Sequence, residues 1–174
     1  ETRLHLDDES VLRVLWHVLA RGAGTGARNN RRRVAAIAET RVGAVEALVM
    51  AMNLSRTDPA AAYSCLRPGR KNVVGWLGPA FFTKILYFAG EGDPVHKSVI
   101  LDDRVAGALR DRCRWDSLRT GGGWPALTYA RYSDLLGRWA ADLAEPVERS
   151  VAPDEIERWL FCRGPKASPR ACLP

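Results

Sequence analysis

The sequence predicts an all-α fold. Apolar residues recur at the three- and four-residue spacing of amphipathic helices in several separate stretches. No stretch of any length alternates apolar and polar residues as a half-buried strand does, and the sequence contains no internal repeat. The 174 residues are enough for one domain with a real core, or for two small helical lobes. We expect residues 1–174 to form a single domain.

Helix signals mark the elements in chain order. Asp58 with Pro59, and later Pro153 followed by two acidic residues, are typical of a helix start. Gly43 interrupts one long stretch, which is therefore either a single helix or a helix pair broken at this glycine. The predicted helices cover residues 9–21, 34–52, 58–66, 79–89, 103–115, 127–144 and 153–162.

Composition favours a polyanionic partner and a soluble globular protein. The net charge is +6 and 26% of the residues are charged, while 47% are hydrophobic. No stretch approaches about 18 consecutive apolar residues, so we expect no membrane span. The cysteines at positions 65, 113, 162 and 172 form no C-x-x-C pair. We therefore expect no metal site, no iron–sulfur cluster, no other cofactor, and reduced structural thiols.

The helix predicted over residues 79–89 is apolar on all sides except at Lys84. Gly78 can serve as its N-cap, Pro79 as its first residue and Gly90 as its terminating glycine. A helix of this composition is buried. Lys84 then either reaches water with its tip or loses its hydration, and the loss of hydration favours the neutral, nucleophilic amine. Both interpretations stay open from this helix alone.

A carboxylate follows the next apolar run. Val99, Ile100 and Leu101 lead to Asp102, which stands where the N-cap of the following helix belongs. A capping aspartate needs no catalytic role, but a cap also holds its carboxylate rigidly. Asp103 is the alternative carboxylate at this point.

Two basic segments are candidates for phosphate contacts. Residues 22–33 form a glycine-rich loop that contains Arg31 and Arg32, and this loop matches neither a dinucleotide fingerprint nor a P-loop. It is either a phosphate-binding patch or a solvated linker.

The second basic segment directly precedes the helix of Lys84. Arg70 and Lys71 stand immediately before the turn that contains Gly75 and Gly78. The N–H groups at the start of that helix can bind the same anion as the two cations.

The segment of residues 67–105 resembles the helix-hairpin-helix DNA glycosylases, in particular the oxoguanine glycosylases with lyase activity. In that superfamily a glycine-rich hairpin precedes a helix with a catalytic lysine. An apolar run then leads to an aspartate that is followed by two residues and a valine or isoleucine. The second part is matched by Ile100-Leu101-Asp102-Asp103-Arg104-Val105. The hairpin part differs, because the family pattern has its lysine where this chain has Ala80, and Lys84 lies one turn further on the same helix face.

The resemblance implies a two-lobed helical fold with a cleft, and an enzyme that excises an oxidised base, preferably 8-oxoguanine, from double-stranded DNA. Lys84 would form a Schiff base with the sugar and permit β-elimination, and Asp102 would stabilise the cationic sugar or take the proton of the lysine. The flipped base would be held by Phe81, Phe88, Asp154 and Trp159. The resemblance also suggests a monomeric, cytoplasmic and nucleoid-associated protein of bacterial type.

Three alternatives stay open at the level of the sequence. The protein could be a non-catalytic helix-hairpin-helix module that binds DNA while Asp102 only caps its helix. It could be a glycosylase without lyase activity, which removes alkylated or bulky adducts with a water activated by Asp102. It could also be a helical protein-interaction domain whose positive charge is incidental.

Overall fold

The computed structural model describes residues 8–22 and 29–165, and within these ranges it contains helices and no strand. This confirms the predicted all-α class. The helices are α1 (Asp8–Gly22), α2 (Asn30–Glu39), α3 (Arg41–Leu54), α4 (Pro59–Leu66), α5 (Pro79–Phe88), α6 (Asp103–Cys113), α7 (Ala126–Ala144) and α8 (Pro153–Arg163), with a short 3-10 turn at Pro68–Arg70.

The break between α2 and α3 differs from the prediction. It lies at Thr40, because the Thr40 hydroxyl donates to the Ala36 carbonyl at 2.9 Å and the backbone leaves the helical conformation there. Gly43 falls in the first turns of α3 instead. The helix α2 also begins as early as Asn30, so Arg31 and Arg32 lie on a helix rather than in the predicted loop. Residues 23–28 of that predicted loop lie outside the described ranges.

Two glycines flank α5, and only one of them has the predicted role. Gly78 is the N-cap in an extended conformation and Pro79 is the first helical residue, as the sequence predicted. Gly90 is not a left-handed terminating glycine. A Cβ atom at this position would lie 2.4 Å from the ring of His96, so Gly90 is required by the close approach of a buried histidine.

The helices pack as two groups. The first group contains α1 to α5, with α3 against α4 and α1 against α5, and the second contains α6 and α7, which both pack on α8. Contacts between α4 and α7 join the groups. Aromatic rings fill this junction: Tyr63 of α4 lies 4.8 Å from Phe82 of α5 and 5.1 Å from Tyr129 of α7, measured between ring centroids. The buried core is therefore continuous through both groups.

The cysteines and the apolar content give two further results. Cys65 and Cys113 are free, but Cys162 is disulfide-bonded, so the expectation of reduced thiols was wrong at this position. Among the described helices, none has the length and apolar character that crossing a membrane requires.

Candidate active site

Lys84 lies half-buried on α5 between buried neighbours on either side, Thr83 and Ile85. Its Nζ atom is 5.5 Å from the centroid of the Phe81 ring, within the range of a cation–π contact. Within the described ranges, Lys84 donates no hydrogen bond and forms no ion pair. The other two lysines there, Lys71 and Lys97, are exposed. Among the described lysines, Lys84 is therefore the one that the fold partly shields, and its nitrogen makes no hydrogen bond or ion pair with a described residue.

Asp102 caps α6 with one of its two carboxylate oxygens. Its Oδ1 accepts hydrogen bonds from the backbone N–H groups of Arg104 at 2.9 Å and Val105 at 3.1 Å. No described residue donates to the Oδ2 atom. The cap thus fixes the orientation of the carboxylate and leaves one oxygen for another partner. Asp103 is engaged elsewhere, because its Oδ1 accepts from the Gly121 N–H at 2.8 Å.

A buried hydroxyl connects the helix of Lys84 to the segment that carries Asp102. Thr83 Oγ1 donates to the Pro79 carbonyl at 2.7 Å and accepts from the Leu101 N–H at 3.3 Å. Since Thr83 precedes Lys84 and Leu101 precedes Asp102, this contact brings the amine and the carboxylate to the same part of the molecule. Thr83 was not predicted as a site residue, and its position one residue before the candidate lysine was the available signal.

Two tyrosines of α7 hold the same extended segment from its other side. The Tyr129 hydroxyl donates to the Val99 carbonyl at 2.9 Å, and the Tyr132 hydroxyl donates to the Ile100 carbonyl at 2.6 Å. Both rings are buried. The apolar run before Asp102 is therefore fixed by side chains rather than by pairing with a strand.

Glu157 of α8 joins this cluster and was also missed from the sequence. It is half-buried and interacts electrostatically with Asp102, Asp154 and Lys84. Burial, followed by the repulsion of the two aspartates, raises the pKa of Glu157 to about 8, while Lys84 acts in the opposite direction. The carboxyl is therefore mostly protonated at neutral pH. The three-residue spacing from Asp154, which puts both side chains on one helix face, was the signal that would have found it.

A hydrogen bond joins α5 to the first turn of α8. The Tyr87 hydroxyl donates to Asp154 Oδ2 at 2.7 Å. Burial, followed by this contact with Asp154, raises the pKa of the Tyr87 phenol above its usual range, so the group stays a donor. Phe88 is 45% exposed and packs edge-on against Tyr87 at 5.1 Å between centroids. Asp154 and Phe88 therefore lie at one end of the cluster, next to Tyr87.

A cavity of about 130 Å³ opens beside this hydrogen bond, and Tyr87, Asp154 and His96 are among its lining residues. His96 donates from Nε2 to the Leu86 carbonyl at 2.8 Å. Burial lowers the pKa of His96, so the ring is neutral at physiological pH. The cavity is therefore lined by a neutral imidazole together with the carboxyl side chains of Asp93 and Asp154.

The other two predicted pocket residues lie in different surroundings. Phe81 stacks under the guanidinium of Arg33, whose Cζ lies 3.6 Å from its centroid, and the same ring contacts Lys84. Trp159 is 47% exposed and lines a groove that contains Trp139. Trp159 is two positions after Glu157, which corresponds to about 200° around the helix. The Trp159 side chain therefore faces away from the cluster. The structure brings Phe81 to Lys84 but does not bring Trp159 there.

A family model with the description "Putative 8-oxoguanine DNA glycosylase OGG-like protein" matches residues 1–161. The chain belongs to this family. The match includes Lys84, Asp102 and Glu157, and it confirms the resemblance to the oxoguanine glycosylases. No curated protein matches the chain, and no solved structure matches it. Membership in the OGG-like family identifies a DNA glycosylase, an enzyme whose substrate is DNA.

The predicted DNA contacts of this OGG-like protein lie on α2 and on residues 67–78, here called the glycine loop. Arg33 of α2 is buried and donates from Nε to the Trp76 carbonyl at 2.9 Å, while Arg32 stacks over the Trp76 ring at 4.5 Å. Gly75 lies so close to α2 that a Cβ atom there would be 3.2 Å from Ala36. The helix α2 therefore packs directly on the glycine loop.

The remaining predicted contacts are three exposed cations and the N-cap glycine of α5. Arg31, Arg70 and Lys71 are all exposed, and Gly78 starts α5. Because Arg70, Lys71 and Gly78 belong to the glycine loop on which α2 packs, the OGG-like protein carries its predicted phosphate contacts on one connected part of the fold.

Proposed function

We propose that the protein excises 8-oxoguanine from double-stranded DNA and cleaves the strand through a Schiff base on Lys84. The observation that supports the proposal is the hydrogen bond between Thr83 and Leu101, the residues that directly precede Lys84 and Asp102. One nucleophilic amine beside one fixed carboxylate is the minimum that this chemistry needs.

The target nucleotide must leave the duplex before it can react, because a stacked base is out of reach of side chains. Its sugar would then lie between Lys84 and Asp102. The neutral amine attacks C1′, and the bond from C1′ to the base breaks. Opening of the sugar ring gives the Schiff base, and β-elimination then cleaves the strand. The free Oδ2 of Asp102 stabilises the positive charge on the sugar or takes the proton of the lysine.

The flipped base would lie between flat apolar side chains near this pair. Phe81 and Phe88 are on α5 with Lys84, and Asp154 offers an acceptor for N–H groups of the base. Trp159 takes part in this pocket only if α8 moves, since its ring faces a separate groove.

The DNA backbone would contact the glycine loop and α2. Arg31, Arg32, Arg70 and Lys71 supply positive charge, and the N–H groups around Gly75 and Gly78 supply donors. Binding through these groups should weaken steeply as salt increases.

A second candidate function is supported by one feature of the sequence. Ala80 stands where the family pattern has its lysine, so Lys84 could take no part in the reaction. Asp102 would then activate a water through its free oxygen, and the enzyme would remove an alkylated or bulky base without lyase activity.

The experiment is borohydride trapping on a duplex with a single 8-oxoguanine, run with the wild type, Lys84→Gln and Asp102→Asn. The exposed Lys97, which lies outside the predicted DNA contacts, gives a matched control, Lys97→Gln. The proposal predicts a covalent adduct that is lost in Lys84→Gln, reduced in Asp102→Asn because base excision is slowed, and retained in the control. Base release without any adduct, dependent on Asp102, would instead support the lyase-free function. The absence of both the adduct and base release would contradict the proposed substrate.

A further inference from the structure

We propose that Glu157 is a third catalytic group, the acid that protonates the base as it leaves the sugar. This inference rests on the proposed base excision. It goes beyond the roles of Lys84 and Asp102, because neither supplies a proton to the departing base.

The geometry begins with the hydrogen bond between Tyr87 and Asp154. This 2.7 Å contact fixes the first turn of α8 against α5. Glu157 lies three residues after Asp154, and Lys84 lies three residues before Tyr87, so each is one helical turn from the contact and on the same face as its neighbour. Glu157 and Lys84 are also close enough to interact electrostatically, so the acid and the amine lie in the same part of the cluster.

Asp154 and Glu157 differ in their hydrogen bonding. Asp154 accepts the Tyr87 hydroxyl, whereas Glu157 makes no hydrogen bond with any residue in the described part of the chain. The cluster thus holds one carboxyl without a partner, next to Lys84 and to Asp102 at the start of α6.

Charged and titratable groups face Glu157 from every element around it. They are Lys84 and Tyr87 of α5, Asp102 at the N-cap of α6, Tyr132 of α7 and Asp154 of α8 itself. The pKa of Glu157, raised to about 8, means that this carboxyl carries a proton at neutral pH. Glu155 on the same helix shows the contrast, because its contact with Arg149 lowers its pKa to about 2. Glu157 is thus suited to donate a proton and Glu155 is not.

Glu157, the Lys84 adduct and water account for every proton that moves in this step. As the Lys84 nitrogen forms its bond to C1′, the bond between C1′ and the base breaks and its electron pair leaves with the base. The Glu157 carboxyl donates its proton to that base and becomes a carboxylate. The amine adduct, now a secondary ammonium, returns a proton to Glu157. Its lone pair then expels the ring oxygen, which takes a proton from water, and the Schiff base remains.

The test separates base excision from lyase chemistry. Single-turnover excision of 8-oxoguanine is measured between about pH 6 and 10 for the wild type, Glu157→Gln, Glu157→Asp and the control Glu155→Gln. The same proteins are trapped with borohydride on a duplex that already contains an abasic site, where no base has to leave. Lys84→Gln is included in both assays, and thermal unfolding confirms that each variant is folded.

We expect excision by Glu157→Gln to be slower by about 100-fold at pH 7, at the low end of the effect of a general acid. The wild-type rate should fall above about pH 8, whereas Glu157→Gln should lack this decline. Glu157→Asp should recover part of the rate together with the decline. Trapping at the abasic site should stay within about twofold of the wild type in all Glu157 variants.

Two results would overturn the inference: excision by Glu157→Gln at the wild-type rate, or equal losses in excision and in abasic-site trapping. Failure of the proposed function looks different, because the wild type itself would then release no 8-oxoguanine, or Lys84→Gln would still form the abasic-site adduct.

Discussion

Replacing Glu157 by glutamine tests the electrostatics of the site without any substrate. Burial and the two nearby aspartates raise the pKa of this carboxyl from its usual 4.5 to about 8 in the folded protein. In the unfolded chain the carboxyl titrates near its usual value. Between these two pH values the unfolded state loses the proton and the folded state keeps it, so the free energy of unfolding falls as pH rises.

The size of this change in the free energy of unfolding follows from the difference between the folded and unfolded pKa values. Each pH unit above 4.5 costs about 1.4 kcal/mol until the folded pKa is reached. At pH 7 the cost is at most about 3.5 kcal/mol, and the half-buried position of Glu157 makes this an upper limit. Glutamine carries no charge, so Glu157→Gln should be more stable than the wild type at pH 7.

The assay is urea denaturation of both proteins at a series of pH values from about 5 to 9. The stability gain of Glu157→Gln should be below about 1 kcal/mol at pH 5, increase steadily, and level off above about pH 8. Glu155→Gln is the control and should lose stability slightly through its Arg149 ion pair. A gain for Glu157→Gln that is the same at every pH, or a loss that grows with pH, would refute this reasoning.

Three further substitutions test the geometry of the site. Asp102→Asn should keep its stability within about 1 kcal/mol, because asparagine caps helices as well as aspartate does. The same variant should excise the base about 100-fold more slowly. Retained excision would contradict the role of the free Asp102 oxygen. Gly90→Ala introduces a methyl group 2.4 Å from the His96 ring and should lower stability in thermal unfolding by about 1–3 kcal/mol, and His96→Ala in the same protein should return part of this loss. Thr83→Val removes the acceptor of the Leu101 N–H, which should cost about 1–3 kcal/mol in urea denaturation and slow borohydride trapping; unchanged trapping would show that this contact does not position the site.

Local signals in the sequence predicted the parts of the site that depend on neighbouring residues. Gly78 and Pro79 start α5 as their conformational preferences require, and Asp102 caps α6 as its short side chain allows. The all-apolar neighbourhood of Lys84 predicted a buried helix, and Lys84 is half-buried on it. These features need no knowledge of distant contacts.

The parts that the sequence analysis missed depend on contacts between distant segments. The raised pKa of Glu157 comes first from its burial in the folded protein and then from Asp102, which is 55 residues away along the chain. Arg33 belongs to the segment that was predicted to be either a phosphate-binding patch or a solvated linker, but it is buried because its guanidinium covers Phe81 and bonds the carbonyl of Trp76. Such contacts leave no periodic pattern.

Helical geometry alone was enough to question one of the predicted pocket residues. Trp159 follows Asp154 by five residues, which corresponds to about 140° around an α-helix. The two side chains therefore belong to different faces of α8, as the structure shows for the groove that contains Trp159 and Trp139.

The most direct test of the central claim is to map the amine that reacts with the sugar. The borohydride-reduced complex on 8-oxoguanine DNA is digested with nuclease and protease, and the modified peptide is sequenced by mass spectrometry. The account predicts a sugar remnant on Lys84, the half-buried lysine of α5. A remnant on Lys71, on Lys97 or on the terminal amine would contradict the assignment of Lys84 as the nucleophile.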